Sequence, residues 1–284
     1  MEHLTDLHTI KPLLERHGFR FSKALGQNFL CAAWVPECIA DAAGLDAETG
    51  VLEVGPGIGC LTVELAKRAK KVVCIELDRT LEPVLAETLA GLNNVEVVFA
   101  DVMKTDLRAL IAERFAGCAR TVVCANLPYQ ITTPALTAFV QAGCFARITV
   151  MIQREVARRI CAREDTADYG AFSVLMQWYT APEALFDVPP GCFIPAPKVT
   201  SAVVTMPRRS TPPAAARSPE WMFAAVRAAF NQRRKTLCNA LSAGLGLPKE
   251  TVAAAIAAAG LPEHVRGEAL SIAQFAALSN ELNR

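Results

Sequence analysis

Val51-Leu52-Glu53-Val54-Gly55-Pro56-Gly57-Ile58-Gly59 decides the class of fold. An apolar run broken by a single acid is followed by three glycines at alternate positions. The run reads as a strand buried on both faces, because polar and apolar residues do not alternate along it. The glycines let the backbone turn sharply and pass close to a ligand with no Cβ in the way. Their spacing departs from the G-x-G-x-x-G dinucleotide pattern, since the third glycine counted from Gly57 is missing. A nucleoside cofactor that lacks a pyrophosphate fits this turn better than a dinucleotide. Alone, the turn also reads as a generic loop.

Working outward, similar runs recur at 71–75, 95–99, 121–124 and 148–152, with helical patterns at 60–69, 80–90, 107–115 and 132–141. Thr80 is placed to cap the second of these helices, with Pro83 tolerated in its first turn. This alternation predicts an α/β fold: a doubly wound, mostly parallel sheet with ligands at the carboxyl ends of its strands. Residues 168–180 read as a further helix and 201–206 as a late strand. The stretch from Arg208 to Pro219 is a linker by composition, and only helical patterns follow it. Ser218-Pro219-Glu220 is an N-cap, an N1 proline and an acidic first turn, and Ser271 is placed to cap the last helix. The expected division is a catalytic domain over 1–209, with an N-terminal helical extension, and a small all-helical domain over 210–284.

Two acids strengthen the ligand reading. Glu76 ends the second strand, 21 positions after Gly55, where a carboxylate accepts from both hydroxyls of a ribose. Asp101 follows the third strand and is placed to accept from a base amine. Singly, each also reads as a solvated loop acid; their recurrence at successive strand ends carries the inference. The fourth strand leads into Asn126-Leu127-Pro128-Tyr129. The Asn126 amide oxygen and the Leu127 carbonyl suit the two N–H bonds of an exocyclic amine on a nucleobase. Pro128 pushes Leu127 towards extended geometry, and Tyr129 offers a stacking face worth ~1–3 kcal/mol per base. The same tetrapeptide also reads as an ordinary turn.

Composition narrows the setting. The chain has 284 residues, 52% of them hydrophobic, which suffices for one large domain and a smaller one. Asp6, His8, Lys11, Glu15 and Arg16 interrupt the first apolar residues, so no signal peptide is expected, and no run has the length of a membrane span. Ten cysteines without a C-x-x-C pair read as reduced core thiols of a cytoplasmic protein. Histidines at 3, 8, 17 and 264 form no ligand spacing, so no metal is expected. Net charge is uneven: 18 Lys/Arg against 23 Asp/Glu in 1–189, then 11 against 5 in 190–284. A basic C-terminal part is consistent with a polyanionic partner, as it is with chance asymmetry of a solvated surface.

With these residues in hand, the chain resembles the ribosomal RNA adenine N6,N6-dimethyltransferase family over nearly its whole length, and within it the small-subunit (16S) group. Lys23-Ala24-Leu25-Gly26-Gln27-Asn28-Phe29-Leu30 is similar to the family's N-terminal motif. The resemblance implies a Rossmann-like methyltransferase domain that binds S-adenosyl-L-methionine through Asn28, Leu30, Gly55, Gly57, Glu76, Asp101 and Asn126. It implies catalysis at Asn126, Leu127, Pro128 and Tyr129, with Phe193 of Phe193-Ile194-Pro195-Ala196-Pro197-Lys198-Val199 stacking on the target base opposite Tyr129. From sequence alone Phe193 reads equally as a packing aromatic on a rigid loop. Met151-Ile152-Gln153-Arg154-Glu155-Val156-Ala157 and Phe230-Asn231-Gln232-Arg233-Arg234-Lys235-Thr236-Leu237 also resemble family signatures. Lys198, Arg233, Arg234 and Lys235 are the expected RNA contacts, although three adjacent cations alone read as a solvated helix face.

The implied substrate is a pair of adjacent adenines in a hairpin loop near the 3′ end of 16S rRNA, within a partly assembled small subunit, and the implied state is a monomer. Asn126-Leu127-Pro128-Tyr129 excludes the aspartate-led and serine-led versions of many DNA amine methyltransferases. Two rivals stay open: a large-subunit (23S) rRNA dimethyltransferase of the macrolide-resistance type, and a non-catalytic assembly or transcription factor on the same fold.

Overall fold

An apolar strand without alternation needs cover on both faces, and Thr49–Val54 has it, with all six residues buried. The computed structural model describes residues 4–22 and 26–283. Lys23, Ala24 and Leu25 of the N-terminal motif, and His3, lie outside them. The strands are β1 (Phe29–Leu30), β2 (Thr49–Val54), β3 (Lys71–Glu76), β4 (Val95–Phe99), β5 (Arg120–Asn126), β6 (Arg147–Gln153), β7 (Glu183–Val188), β8 (Phe193–Ile194) and β9 (Ser201–Pro207). The helices are α1 (Leu7–Arg16), α2 (Trp34–Ala42), α3 (Cys60–Ala66), α4 (Glu82–Thr88), α5 (Leu107–Arg114), α6 (Thr132–Ala142), α7 (Arg154–Cys161), α8 (Ala171–Tyr179), α9 (Pro219–Asn231), α10 (Leu237–Leu245), α11 (Lys249–Ala258) and α12 (Ile272–Leu282).

Seven strands form one sheet in the order β4-β3-β2-β5-β6-β9-β7. The first five run parallel; at one side β9 pairs antiparallel with β6, and β7 pairs antiparallel with β9. The chain builds outward from β2 to β4, then returns to place β5 on the other side of β2. Strand order therefore reverses between β2 and β5, the position at which open α/β sheets bind ligands. Leu52, at the sheet centre, is fully buried; cutting such a side chain back to alanine costs about 2–5 kcal/mol.

Several local expectations change. The residue that caps the turn before α4 is Asp78, whose carboxylate accepts from the Thr80 N–H at 3.0 Å; Thr80 lies inside a short 3-10 turn. Aspartate reaches the free N–H two residues on as readily as threonine does, and it comes first. Strand β4 is half-buried along its length because it has a neighbour on one side only. Strand β7 escapes a periodicity reading, since Glu183-Ala184-Leu185-Phe186-Asp187-Val188 carries a register shift between Ala184 and Phe186.

The chain divides into two compact units, residues 1–157 with 183–208 and residues 158–182 with 209–284. Residues 158–182, placed by sequence with the sheet, thus cluster with the C-terminal helices, and the boundary is crossed near 157, near 182 and near 208. The reason lies in the second unit's core: Tyr169, Val174 and Trp178 share it with Met222, Leu241 and Phe275. The Tyr169 hydroxyl donates to the Leu270 carbonyl at 3.0 Å. Ser218 and Ser271 cap α9 and α12. Among the described residues no helix is long and apolar enough to cross a membrane.

Candidate functional site

Parallel strands present their carboxyl ends on one edge, and four successive ends place four of the candidate residues there. Gly55 follows β2, Glu76 is the last residue of β3, Asp101 comes two residues after β4, and Asn126 closes β5. β2 and β5 are hydrogen-bonded neighbours, with Leu52 opposite Val123. The glycine bend and the Asn126-Leu127-Pro128-Tyr129 loop line one cavity of about 220 Å³. Gly55 and Gly57 have φ of +69° and +59°. A Cβ on Gly57 would stand 3.1 Å from the Phe29 ring, so the conformation favours glycine there and a side chain would also press on that ring.

The cavity is closed by two segments far apart in sequence. β1 pairs antiparallel with β8, Leu30 opposite Phe193. Asn28, Leu30 and Phe193 thereby all line the cavity. The Asn126 Nδ2 donates to the Asn28 carbonyl over 3.4 Å. The Leu127 N–H donates to Met151 at 3.1 Å. Among the described residues no donor reaches the Asn126 Oδ1 or the Leu127 carbonyl. The Tyr129 and Ser201 hydroxyls are 2.7 Å apart, which ties the half-buried ring to the start of β9. Burial raises the Tyr129 hydroxyl above its ordinary pKa, against the Ser201 bond, so it stays protonated.

Electrostatically the cavity is one-sided. Glu53, Glu76 and Asp101 line it, and no Lys, Arg or His does so among the described residues. The only charged side chains a phosphate would meet are carboxylates, whereas a cationic or neutral nucleoside is accommodated. Burial pushes the Glu53 carboxyl up to about 7, despite hydrogen bonds from Thr62 and Cys74. Burial also raises Glu76, partly offset by N–H groups of Asp78 and Gly57; the Asp78 N–H reaches its Oε1 at 2.8 Å. Asp101 spends Oδ1 on the Met103 N–H at 2.9 Å, and its Oδ2 is 3.8 Å from Lys104. Among the described residues Oδ2 makes no hydrogen bond, and it can accept one beside the Lys104 ion pair.

Every residue expected at the cofactor and the reacting base therefore lines a single cavity. The four cations do not. Lys198 is exposed on the proline loop, and Arg233, Arg234 and Lys235 form a turn between α9 and α10 rather than a helix face. Arg233 is committed there to Glu268 at 3.3 Å and to the Ala167 carbonyl, while Arg234 and Lys235 are exposed and make no ion pair among the described residues. Sequence reasoning also passed over Gln27, Glu53 and Val102 as cavity residues. Glu53 sits inside the opening stretch, but a strand acid gives no sign of which face it lies on. Gln27 stands beside Asn28 in the N-terminal motif, and Val102 immediately follows Asp101.

Comparison with known proteins places the chain in a family. The family model "Ribosomal RNA adenine dimethylase" matches residues 18–284. A protein of Geobacillus thermodenitrificans named ribosomal RNA small subunit methyltransferase A is 46% identical, over 96% of this chain and 94% of its own. One of the same name from Alkaliphilus metalliredigens is 45% identical over 99% of each. Among solved structures, the 23S rRNA methyltransferase ErmE is 30% identical with a TM-score of 0.69, covering 90% of this chain and all of its own. A dimethyladenosine transferase from Plasmodium falciparum shares the fold, with a TM-score of 0.70 at 24% identity over 88% of this chain and 95% of its own. A family match over nearly the whole length, with relatives this similar, leads to one conclusion: this chain belongs to the ribosomal RNA adenine dimethylase family.

Proposed function

We propose that this chain transfers methyl groups from S-adenosylmethionine to N6 of two adjacent adenines in a hairpin loop near the 3′ end of 16S rRNA. It acts on the small ribosomal subunit late in assembly, in the cytoplasm, as a monomer. The observation that carries the reading is the shared cavity: Gly55 and Asn126 end neighbouring parallel strands and line the same space. The residues present fit the cofactor. An acidic, cation-free lining suits a sulfonium and rejects a diphosphate.

Glu76 would hold the ribose hydroxyls, Asp101 would accept from the adenine amine through Oδ2, and Asn28, Leu30, Gly55 and Gly57 would wall the rest. When bound, the cofactor supplies an electrophilic methyl group. The chain's own residues prepare the nucleophile. The Asn126 Oδ1 and the Leu127 carbonyl accept the two N–H bonds of the target amine, so its lone pair is drawn out of the ring. Tyr129 offers an aromatic face for a base splayed out of a loop, while Phe193, 4% exposed and packed in the core, lines the cavity wall beside it. Positioning then carries most of the rate. The alkylated amine is acidic enough to need no dedicated base, and no His lines the cavity among the described residues. After the first methyl, one of the two acceptors has no N–H to take. Lys198, Arg234 and Lys235 contact phosphates.

ErmE's similarity favours a second reading, methylation of large-subunit rRNA, but the relatives of higher identity are named for the small subunit. Unmethylated small and large subunits incubated with labelled cofactor, followed by mapping of the modified bases, separate the two. Label in the small-subunit hairpin is expected. Label confined to the large subunit, or none, overturns the proposal.

A further inference from the structure

Gln27 lines the cavity, yet both ends of its amide are engaged by the protein. Its Nε2 donates to the Asp78 Oδ2 at 2.6 Å, and its Oε1 accepts from the Ser22 N–H at 2.8 Å. Asp78 is itself fixed. Its other oxygen takes the N–H and hydroxyl of Thr80 at 3.0 and 2.6 Å, and its own N–H donates to Glu76 at 2.8 Å. On the other side of Gln27, the Asn28 Nδ2 donates to the Gly26 carbonyl at 2.9 Å, and the Asn28 carbonyl accepts from Asn126. Gly26, at a φ of +63°, lies so close to Gln130 that a Cβ would collide with it. A track of hydrogen bonds therefore runs from the acid on β3, through Asp78 and Gln27, along residues 26–28, to the amide that ends β5.

We propose that Gln27 is a positioning residue, whose bonds to Asp78 and Ser22 hold residues 26–30 across the cavity and thereby set both the acidic wall and the Asn126 amide. This rests on the functional reading above and extends it to a side chain that acts only through its neighbours. A hydrogen bond to a carboxylate is among the stronger ones available to a neutral amide. Its loss frees one end of the segment, so two steps suffer together. Cofactor binding weakens because the wall at Asn28 and Leu30 is no longer held. Turnover of bound cofactor falls because Asn126 loses its fixed partner.

A swap of donor and acceptor tests this. Gln27→Glu sets two carboxylates against each other. Adding Asp78→Asn restores the bond in reverse: the new carboxylate accepts from the new amide and still accepts from Ser22, while the new amide's oxygen still takes Thr80. In the full chain, with small subunits as substrate, Gln27→Glu should raise the cofactor KM about tenfold and lower kcat about tenfold. The double variant should return both to within about threefold. Loss of folded protein alone would lower the apparent kcat without raising the cofactor KM, so the rise in KM and its return in the double variant mark positioning. Unchanged kinetics in Gln27→Glu, or a double variant no better than the single, overturns the assignment of Gln27 alone. Failure of the unaltered chain to bind S-adenosylmethionine overturns the functional reading and this inference with it.

Discussion

The Asn126 Nδ2 donates to the carbonyl of Asn28, 3.4 Å away, across 98 residues of sequence. An amide has one carbonyl oxygen and one NH₂ group. Committing the nitrogen to Asn28 turns the oxygen away from it, and among the described residues that oxygen has no other partner. The bond is long, so it orients the side chain more than it stabilises the fold.

Asn126→Ala should therefore reduce methyl transfer about a hundredfold or more, because a misplaced nucleophile alone costs that much. Subunit binding should stay within about twofold, since the loop's other anchors, at Met151 and Ser201, are untouched. Single-turnover kinetics beside a binding isotherm would check this. Wild-type turnover would falsify the clamp.

Glu53 predicts a pH dependence of stability. Its folded carboxyl is pushed up to about 7 from an ordinary 4.5. Between those values the folded chain holds a proton that the unfolded chain has lost. Stability thus declines as pH rises through that window, and the penalty is complete above about 7. Its full size is on the order of 3 kcal/mol. Relative to wild type, Glu53→Gln should gain stability from pH 4.5 to 8, measured by denaturant unfolding. The raised carboxyl of Glu76 is present in both proteins, and in wild type its charge adds to the cost of ionising Glu53. A pH-independent difference would show that Glu53 keeps its charge when buried.

Glu76 makes the matching prediction for ligand binding. Burial raises its carboxyl, and hydroxyl donors favour the carboxylate. Cofactor affinity should rise with pH through the Glu76 titration and fall on the acid side, with net proton release on binding. Calorimetry in buffers of different ionisation heat reads this directly. Glu76→Gln should flatten the dependence and weaken binding about tenfold or more. The cofactor's own amine titrates alike in both proteins, so the difference isolates Glu76.

Arg234 and Lys235 are exposed, whereas Arg233 is tied to Glu268. Replacing Arg234 and Lys235 together should reduce the salt slope of subunit binding by ~0.7–0.9 for each phosphate no longer neutralised. Replacing Arg233 should act mainly through the stability of the turn. An unchanged slope in the first variant would place both cations in bulk water.

The sheet is legible because βαβ alternation is written locally. Val51–Val54, the runs at 71–75, 95–99 and 121–124, and the polar residues Glu76, Asp101 and Asn126 that follow the last three need no partner to be recognised. Strand β7 is not legible, because a bulge breaks its periodicity. Place in the chain alone assigns residues 158–182 to the sheet domain; burial of Tyr169 and Trp178 among distant helices groups them otherwise.

By itself the sequence determined the parallel sheet, the glycine bend, and the order in which Glu76, Asp101 and Asn126 meet the carboxyl edge. These follow from short-range periodicity and from residue types that act where they stand. Only the tertiary structure decided that Leu30 lies opposite Phe193, that Gln27 reaches Asp78, and that Asn126 faces Asn28. Two-residue strands and single side-chain bonds carry no periodic signal; they form because the folded sheet brings distant partners within hydrogen-bond reach, 2.6 Å for Gln27 and 3.4 Å for Asn126.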